Sequence, residues 1–266
     1  MSKRSIGVFD SGVGGLTVLK ELKRQLPGEN FIYLGDTARI PYGNKSSPTV
    51  IRYAIEGATC LIKHEIKLLV IACNTMSAQA LHTLRQHFSI PIIGVIDAGA
   101  KAAASASHNK KIAVLGTRGT IQSQAYQHTI WQHVPCAKIF PIACPLFVHL
   151  VEEQWLQHSA TDLIVKEYLT PLQGLNIDTL VLGCTHYPLL KDIIQAHMGA
   201  NVTIVDSAIG CAQEVSRVLK EKQLQSNCGG NNHKYYVTDD PQHFCTFSKH
   251  VFGEPLTNVD LISFYA

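Results

Sequence analysis

The stretch LVIACNTMS, residues 69–77, is an uninterrupted apolar run that ends on a cysteine and passes at once into small polar residues. A strand built from such a run has no polar face, so it must be covered on both sides, as in parallel sheets with helical crossovers. The next segment, SAQALHTLRQHF, places its apolar residues at helical spacing. A second junction of the same kind, LVLGCTHYP, stands at 180–188. Two such junctions call for one explanation.

Working outward, IGVFD (6–10), FIYLGD (31–36), LLVIAC (68–73) and PIIGVI (91–96) read as buried strands. GGLTVLKELKRQL and SPTVIRYAIEGATCLIKH read as the helices between them. The pattern then begins again with strands KIAVLGT (111–117), KIFPIAC (138–144), DTLVLGC (178–184) and VTIVD (202–206). Helical IQSQAYQHTIW, LFVHLVEEQWL, ATDLIVKEYLTPL and PLLKDIIQAHM lie between these. In each half the first strand runs into a glycine-containing loop, DSGVGG (10–15) or GTRGT (116–120), and a later strand ends on the cysteine. This spacing predicts an α/β protein of two similar, pseudo-symmetric domains. Each is a mainly parallel sheet with helices on both faces, and the active site lies in the cleft between them. The first domain takes residues 1–97 and 207–266, the second 98–206. KYYVT and DLISF are expected at a sheet edge, and QSNCGGNN (225–232) as a surface turn.

With 266 residues, 46% hydrophobic and 16% charged, the chain suits a compact protein with a sizeable core. The net charge of +3 is small and its cations are scattered, and the basic residues at 110 and 111 read as a solvated loop. No nucleic-acid partner is expected. No membrane span or signal peptide is read in the chain. Eight cysteines without a C-x-x-C pair argue against zinc, and reduced thiols point to the cytoplasm. Cys60, Cys144 and Cys211 read as small buried hydrophobes.

Cys73 and Cys184 differ, because each ends a strand where open parallel sheets bind ligands. A helix start follows each, and its free N–H groups and dipole are expected to hold a carboxylate and to draw the thiol from about 8.5 toward neutrality. If the halves face one another, the thiols flank one small anion. One thiolate then removes a proton from carbon and the other thiol returns one from the far side, which inverts a stereocentre. His186, two residues after Cys184, suits proton transfer. Asp10 either caps the following helix or holds a substrate ammonium. The spacing of Gly12, Gly14 and Gly15 matches neither a P-loop nor a dinucleotide fingerprint. That loop is expected to approach a small ligand closely.

Taken together, FDSGVGGLTVLKEL, YLGDTARIPYGNKS, VIACNTMSAQAL, PIIGVIDAGA, VLGTRGTI and LVLGCTHYPLL resemble the glutamate racemases of the aspartate/glutamate racemase superfamily. The resemblance runs from about Ile6 to Ser207. It implies cofactor-independent interconversion of L- and D-glutamate, the latter for peptidoglycan, with no metal. By resemblance Cys73 deprotonates the D-isomer and Cys184 the L-isomer. Asp10 and Glu152 would assist Cys73, and His186 would assist Cys184. Asp10, Ser11, Tyr42, Gly43, Asn74, Thr75, Thr117, Thr120, Thr185 and His186 would meet the substrate. The expected partner is the small-molecule substrate glutamate, and a homodimer is left open.

Met76, Ala98, His149 and Gln154 depart from the family's usual residues, none at a catalytic group. Three rival readings stand beside this one. In a thiol hydrolase, Cys184 and His186 would act as a pair and Cys73 would have no role. A non-catalytic acid-binding module gives no reason for two thiols. A sister racemase would act on aspartate.

Overall fold

The structure is a computed structural model and describes residues 4–226 and 230–263. In chain order the first half runs β1 (Ile6–Asp10), α1 (Leu16–Gln25), β2 (Phe31–Gly35), α2 (Ser47–Lys63), β3 (Leu68–Ile71), α3 (Asn74–Gln79), α4 (Leu81–His87), β4 (Ile92–Gly94) and α5 (Val95–Ala106). Then come β5 (Lys111–Gly116), α6 (Arg118–Gln122), α7 (Ala125–His133), β6 (Lys138–Ala143), α8 (Leu146–Glu152), α9 (Ser159–Leu169), β7 (Thr179–Gly183), α10 (Lys191–Met198) and β8 (Thr203–Asp206). The chain closes with α11 (Ser207–Glu221), β9 (Lys234–Val237), α12 (Pro241–Phe252) and β10 (Val259–Leu261).

Every strand pairing among the described residues is parallel. One sheet has the order β10-β9-β2-β1-β3-β4, the other β6-β5-β7-β8. The strings β2-β1-β3-β4 and β6-β5-β7-β8 are the same arrangement, so the echo in sequence is an echo in topology. Cys73 follows β3 and Cys184 follows β7, the equivalent strands. The chain order reverses beside β1 in one sheet and beside β5 in the other, and such reversal points open crevices at the carboxyl ends of strands.

Alternation along the strands assigns the faces. Ile6 and Val8 of β1, Leu68 and Val70 of β3, and Leu180 and Leu182 of β7 all enter one large apolar core, which runs between the two sheets. Phe9, Leu69 and Ile71 point the other way, into a core under α2, α3 and α4. Val114 and Val181 face a third core with Ile96 and Tyr126. Helix ends follow local chemistry. Asp206 caps α11 by accepting the Ala208 N–H at 2.9 Å. Asp240 caps α12 by accepting the His243 N–H at 2.9 Å, Pro241 occupies its first turn, and Gly253 ends it at φ +85°.

Several boundaries differ from expectation. The strand read as 91–96 stops at Gly94, and Val95 already starts α5, a small-residue helix over VIDAGAKAAASA that the strand reading conceals. The single helix expected over SAQALHTLRQHF breaks at Ala80 into α3 and α4. α12 is not among the expected elements, because its apolar residues are interspersed with histidines and a cysteine. β10 lies at the sheet edge and β9 next to it. Residues 227–229 of the expected turn, Cys228 among them, lie outside the described residues, as does the last residue of DLISF. No helix among the described residues is long and apolar enough to cross a membrane.

Candidate active site

The carboxyl ends of β1, β3, β5 and β7 converge on one cavity. Ser11, Tyr42, Gly43, Cys73, Asn74, Thr75, Thr117, Glu152, Cys184, Thr185 and His186 line it, so both thiols open on the same space. Ile40, Pro41 and Val148 complete the wall, and sequence reasoning did not single these out. Asp10 and Thr120 are not among the lining residues. Asp10 is fully buried at the end of β1, and Thr120 sits behind Thr117. The cavity measures about 20 Å³, room for about one water. Entry of an amino acid therefore requires the walls to separate. Larger grooves lie elsewhere, and one of them, between α9, α10 and α12, contains neither thiol.

Cys73 is 6% exposed and stands immediately before α3. Its thiol is pushed up to about 12, first by burial and then by the nearby Asp10 carboxylate, against smaller opposing effects from the Met76 N–H and Ser11 hydroxyl. This reverses the expectation of a thiol drawn toward neutrality. α3 has only six residues and carries little dipole, whereas desolvation of the sulfur is almost complete. The helix start expected after Cys184 is also modified. A 3₁₀ turn over Tyr187–Leu190 comes first, and α10 begins only at Lys191.

The residue that flanks α1 is Gly15, and its N–H, like that of Gly12, favours the ionised carboxyl of Asp10. Asp10 Oδ2 accepts the Gly12 N–H at 3.0 Å, and its Oδ1 has no hydrogen-bond partner among the described residues. Burial raises its carboxyl above the ordinary value, against the opposing charge of His186. Asn74 shows the complementary feature. Its Oδ1 accepts the Tyr126 hydroxyl at 2.7 Å, while its Nδ2 has no hydrogen-bond partner among the described residues. A donor on the cavity wall, and an acceptor buried behind that wall, thus have no hydrogen-bond partner among the described residues.

On the other side, His186 Nδ1 lies 3.8 Å from Cys184 Sγ, and His186 Nε2 lies 2.6 Å from Glu152 Oε1. Burial lowers the imidazole, but the bonds to Cys184 and Glu152 outweigh it and hold His186 well above its ordinary range. Glu152, although desolvation raises it, is held low by His186 and His243. An imidazolium donates from both nitrogens. Glu152 thus bonds His186, which in turn meets Cys184, whereas the resemblance placed it with Cys73. The two thiols consequently sit in opposite fields, a cation beside Cys184 and a carboxylate beside Cys73.

The two halves meet through threonines. Thr75 Oγ1 lies 2.9 Å from Thr117 Oγ1 and 3.3 Å from Thr120 Oγ1, and the latter two are 3.0 Å apart. The Tyr42 hydroxyl is committed to Asp36, so its ring is held as a wall. Among the described residues there is no cluster of His, Cys, Asp or Glu suited to a metal.

A family model described as Asp/Glu/Hydantoin racemase matches residues 6–215. This chain belongs to that racemase family. It is 47% identical to the glutamate racemase of Geobacter metallireducens over 267 aligned residues, covering 100% of this chain and 99% of the relative. Its fold superposes on the crystal structure of glutamate racemase isoform RacE1 from Bacillus anthracis with a TM-score of 0.94, at 40% identity over 98% of this chain and 97% of that one. A glutamate racemase from Francisella tularensis, solved in complex with D-glutamate, gives 0.93 at 36% identity over 99% of each chain.

Within this racemase the DSGVGG loop approaches side chains of the site itself. A Cβ on Gly14 would lie 2.5 Å from both His186 Nδ1 and Thr185 Oγ1, and one on Gly15 would lie 2.4 Å from Asp10 Cβ. Gly14→Ala is expected to push His186 off Cys184. Turnover should fall about 10²-fold, the scale of a misplacement near 1 Å, and the melting temperature by several degrees. Initial rates and a thermal melt check both, and an unimpaired Gly14→Ala variant would show that the loop yields.

Proposed function

We propose that this chain interconverts L- and D-glutamate by proton transfer between two thiols, without a cofactor, and so supplies D-glutamate for peptidoglycan in the cytoplasm. The observation that carries the reading is the shared cavity: Cys73 and Cys184 enter it from equivalent strands of two repeated sheets. The relative that binds D-glutamate supports the choice of substrate.

In this mechanism, once the walls separate and uncover Asp10, the substrate ammonium meets Asp10 Oδ1 and its α-carboxylate meets Asn74 Nδ2, two groups with no hydrogen-bond partner among the described residues. The ammonium also offsets the Asp10 charge that holds Cys73 protonated. Cys184, aided by His186, takes the α-proton of L-glutamate, and the electron pair of the C–H bond moves into the α-carboxylate. Cys73 then gives its proton to the opposite face. The proton count is unchanged, and the two sulfurs have exchanged states. In the reverse direction the roles exchange. The hinge is placed where the chain passes between the sheets, near Asp97 and Asp206, because the cavity is too small to admit glutamate closed.

The test is chiral chromatography of L-glutamate incubated with the purified chain in deuterated water and no added cofactor. D-glutamate carrying deuterium at the α-carbon is expected. Inversion of aspartate in place of glutamate would assign the sister activity. Binding of glutamate without inversion would leave only an acid-binding module.

A further inference from the structure

Glu152 meets a histidine on each of two sides, through a hydrogen bond on one and a longer ion-pair contact on the other. Its Oε1 bonds His186 Nε2, while its Oε2 lies 3.6 Å from His243 Nε2. His243 does not belong to the same layer. It sits on α12, which packs on α1 and β10 beside the six-stranded sheet, whereas Glu152 ends α8 beside the four-stranded one. Phe244, Phe247 and Val251 anchor α12 in the core that also holds Phe147 and Val151 of α8. A second strut runs parallel. His250 Nε2 lies 2.9 Å from Gln154 Oε1. His243 and His250 are seven residues apart and so share one helix face. Gln154 holds a left-handed turn at φ +60° directly after α8. The helix end that carries Glu152 is therefore tied to α12 at two points.

We propose that His243 is a positioning residue for the Cys184 half-reaction, holding the outer oxygen of Glu152 so that the inner oxygen stays on His186. This rests on the two-thiol reading above. Glu152 is the last residue of α8, and a carboxylate at a helix end has rotamer freedom that one bond does not remove. With the outer oxygen held, the Glu152–His186–Cys184 chain keeps one geometry as the cavity closes. His243 is 38% exposed on its side chain and does not line the cavity, so it acts only through Glu152. The charged or titratable groups beside it are Glu152 from α8 and, on its own helix, Asp240, whose Oδ1 takes the His243 backbone N–H.

The test compares His243→Ala, His243→Gln and His250→Ala with the intact chain, in both directions, using α-deuterated L- and D-glutamate. Wild-type racemisation is measured first. Its absence would remove the two-thiol reading itself, separately from any role of His243. Enantiomers have equal free energy, so kcat/KM must fall equally in both directions, by about tenfold for His243→Ala, a small part of what a positioned acid–base group supplies. The two deuterium isotope effects then separate the sides. If the Cys184 step has become the harder one, the effect rises with L-glutamate and falls with D-glutamate. His243→Gln, whose Nε2 falls near that of the imidazole and keeps a donor there, should recover part of the rate, and His250→Ala should stay within about twofold of wild type. Rates for His243→Ala within about twofold of wild type, or isotope effects that move alike for both enantiomers, would overturn the proposal. If the alanine variant melts early, the glutamine variant carries the same comparison.

Discussion

Cys73→Ala and Cys184→Ala are each expected to lose racemisation by at least about 10³-fold, the contribution of a positioned proton-transfer group, while the fold survives. Each side chain loses a single sulfur at a 6% exposed position, so the melting temperature should move by no more than a few degrees. The two variants should differ in what they still do. In deuterated water, Cys184→Ala retains the thiol assigned to the D-isomer and should wash deuterium into D-glutamate without forming L-glutamate. Cys73→Ala should do the mirror image. Mass spectrometry after chiral separation reads both. A single variant that still racemises above a tenth of the wild-type rate would end the two-base mechanism, whatever the family.

Asp10→Asn is expected to separate activity from stability. The carboxylate is completely buried, and one of its oxygens has no hydrogen-bond partner among the described residues. A buried unpaired group costs about 1–3 kcal/mol when neutral and more when charged; the asparagine amide is left as unpaired as the oxygen it replaces but carries no charge, and its Oδ1 can still accept the Gly12 N–H. The variant should therefore melt at least about 2 °C higher at neutral pH, while turnover falls about 10²-fold or more because the ammonium loses its counter-charge. The sign with pH follows from the direction of the shift. The carboxyl of Asp10 is raised from 3.8 in the folded chain. Its neutral form is thus favoured by folding, and that stability is fully present below the unfolded value and lost as pH climbs through the folded one. The gain from asparagine should accordingly vanish below about pH 3.8 and open above it. Calorimetry across that range checks this, and an Asp10→Asn variant that is both fully active and no more stable would contradict the assignment.

Much of the architecture was legible because it depends on local periodicity. Continuous apolar runs ending on small residues give buried parallel strands, and the recurrence of that pattern anticipates two similar sheets; their shared order, β2-β1-β3-β4 and β6-β5-β7-β8, came only from the structure. The elements that escaped were those whose local signals compete. In PIIGVIDAGA the β-branched residues outweigh the helix start at Val95. In PQHFCTFSKHVF the core positions Phe244, Phe247 and Val251 are separated by histidines, so α12 carries a weak apolar stripe. His243 had no signal near the motifs, since it lies far along the chain from Glu152 and meets it only when α12 packs.

By itself the sequence determined which residues end strands, hence that Cys73, Asn74, Cys184 and His186 follow the carboxyl ends of two of them, because strand ends follow from patterning within a few residues. Only the tertiary structure decided the electrostatics. Burial raises Cys73 against its short helix, Glu152 turns to His186, and one Asp10 oxygen has no hydrogen-bond partner among the described residues. Desolvation and charge pairing depend on what surrounds a group from distant parts of the chain, and no local pattern carries that information.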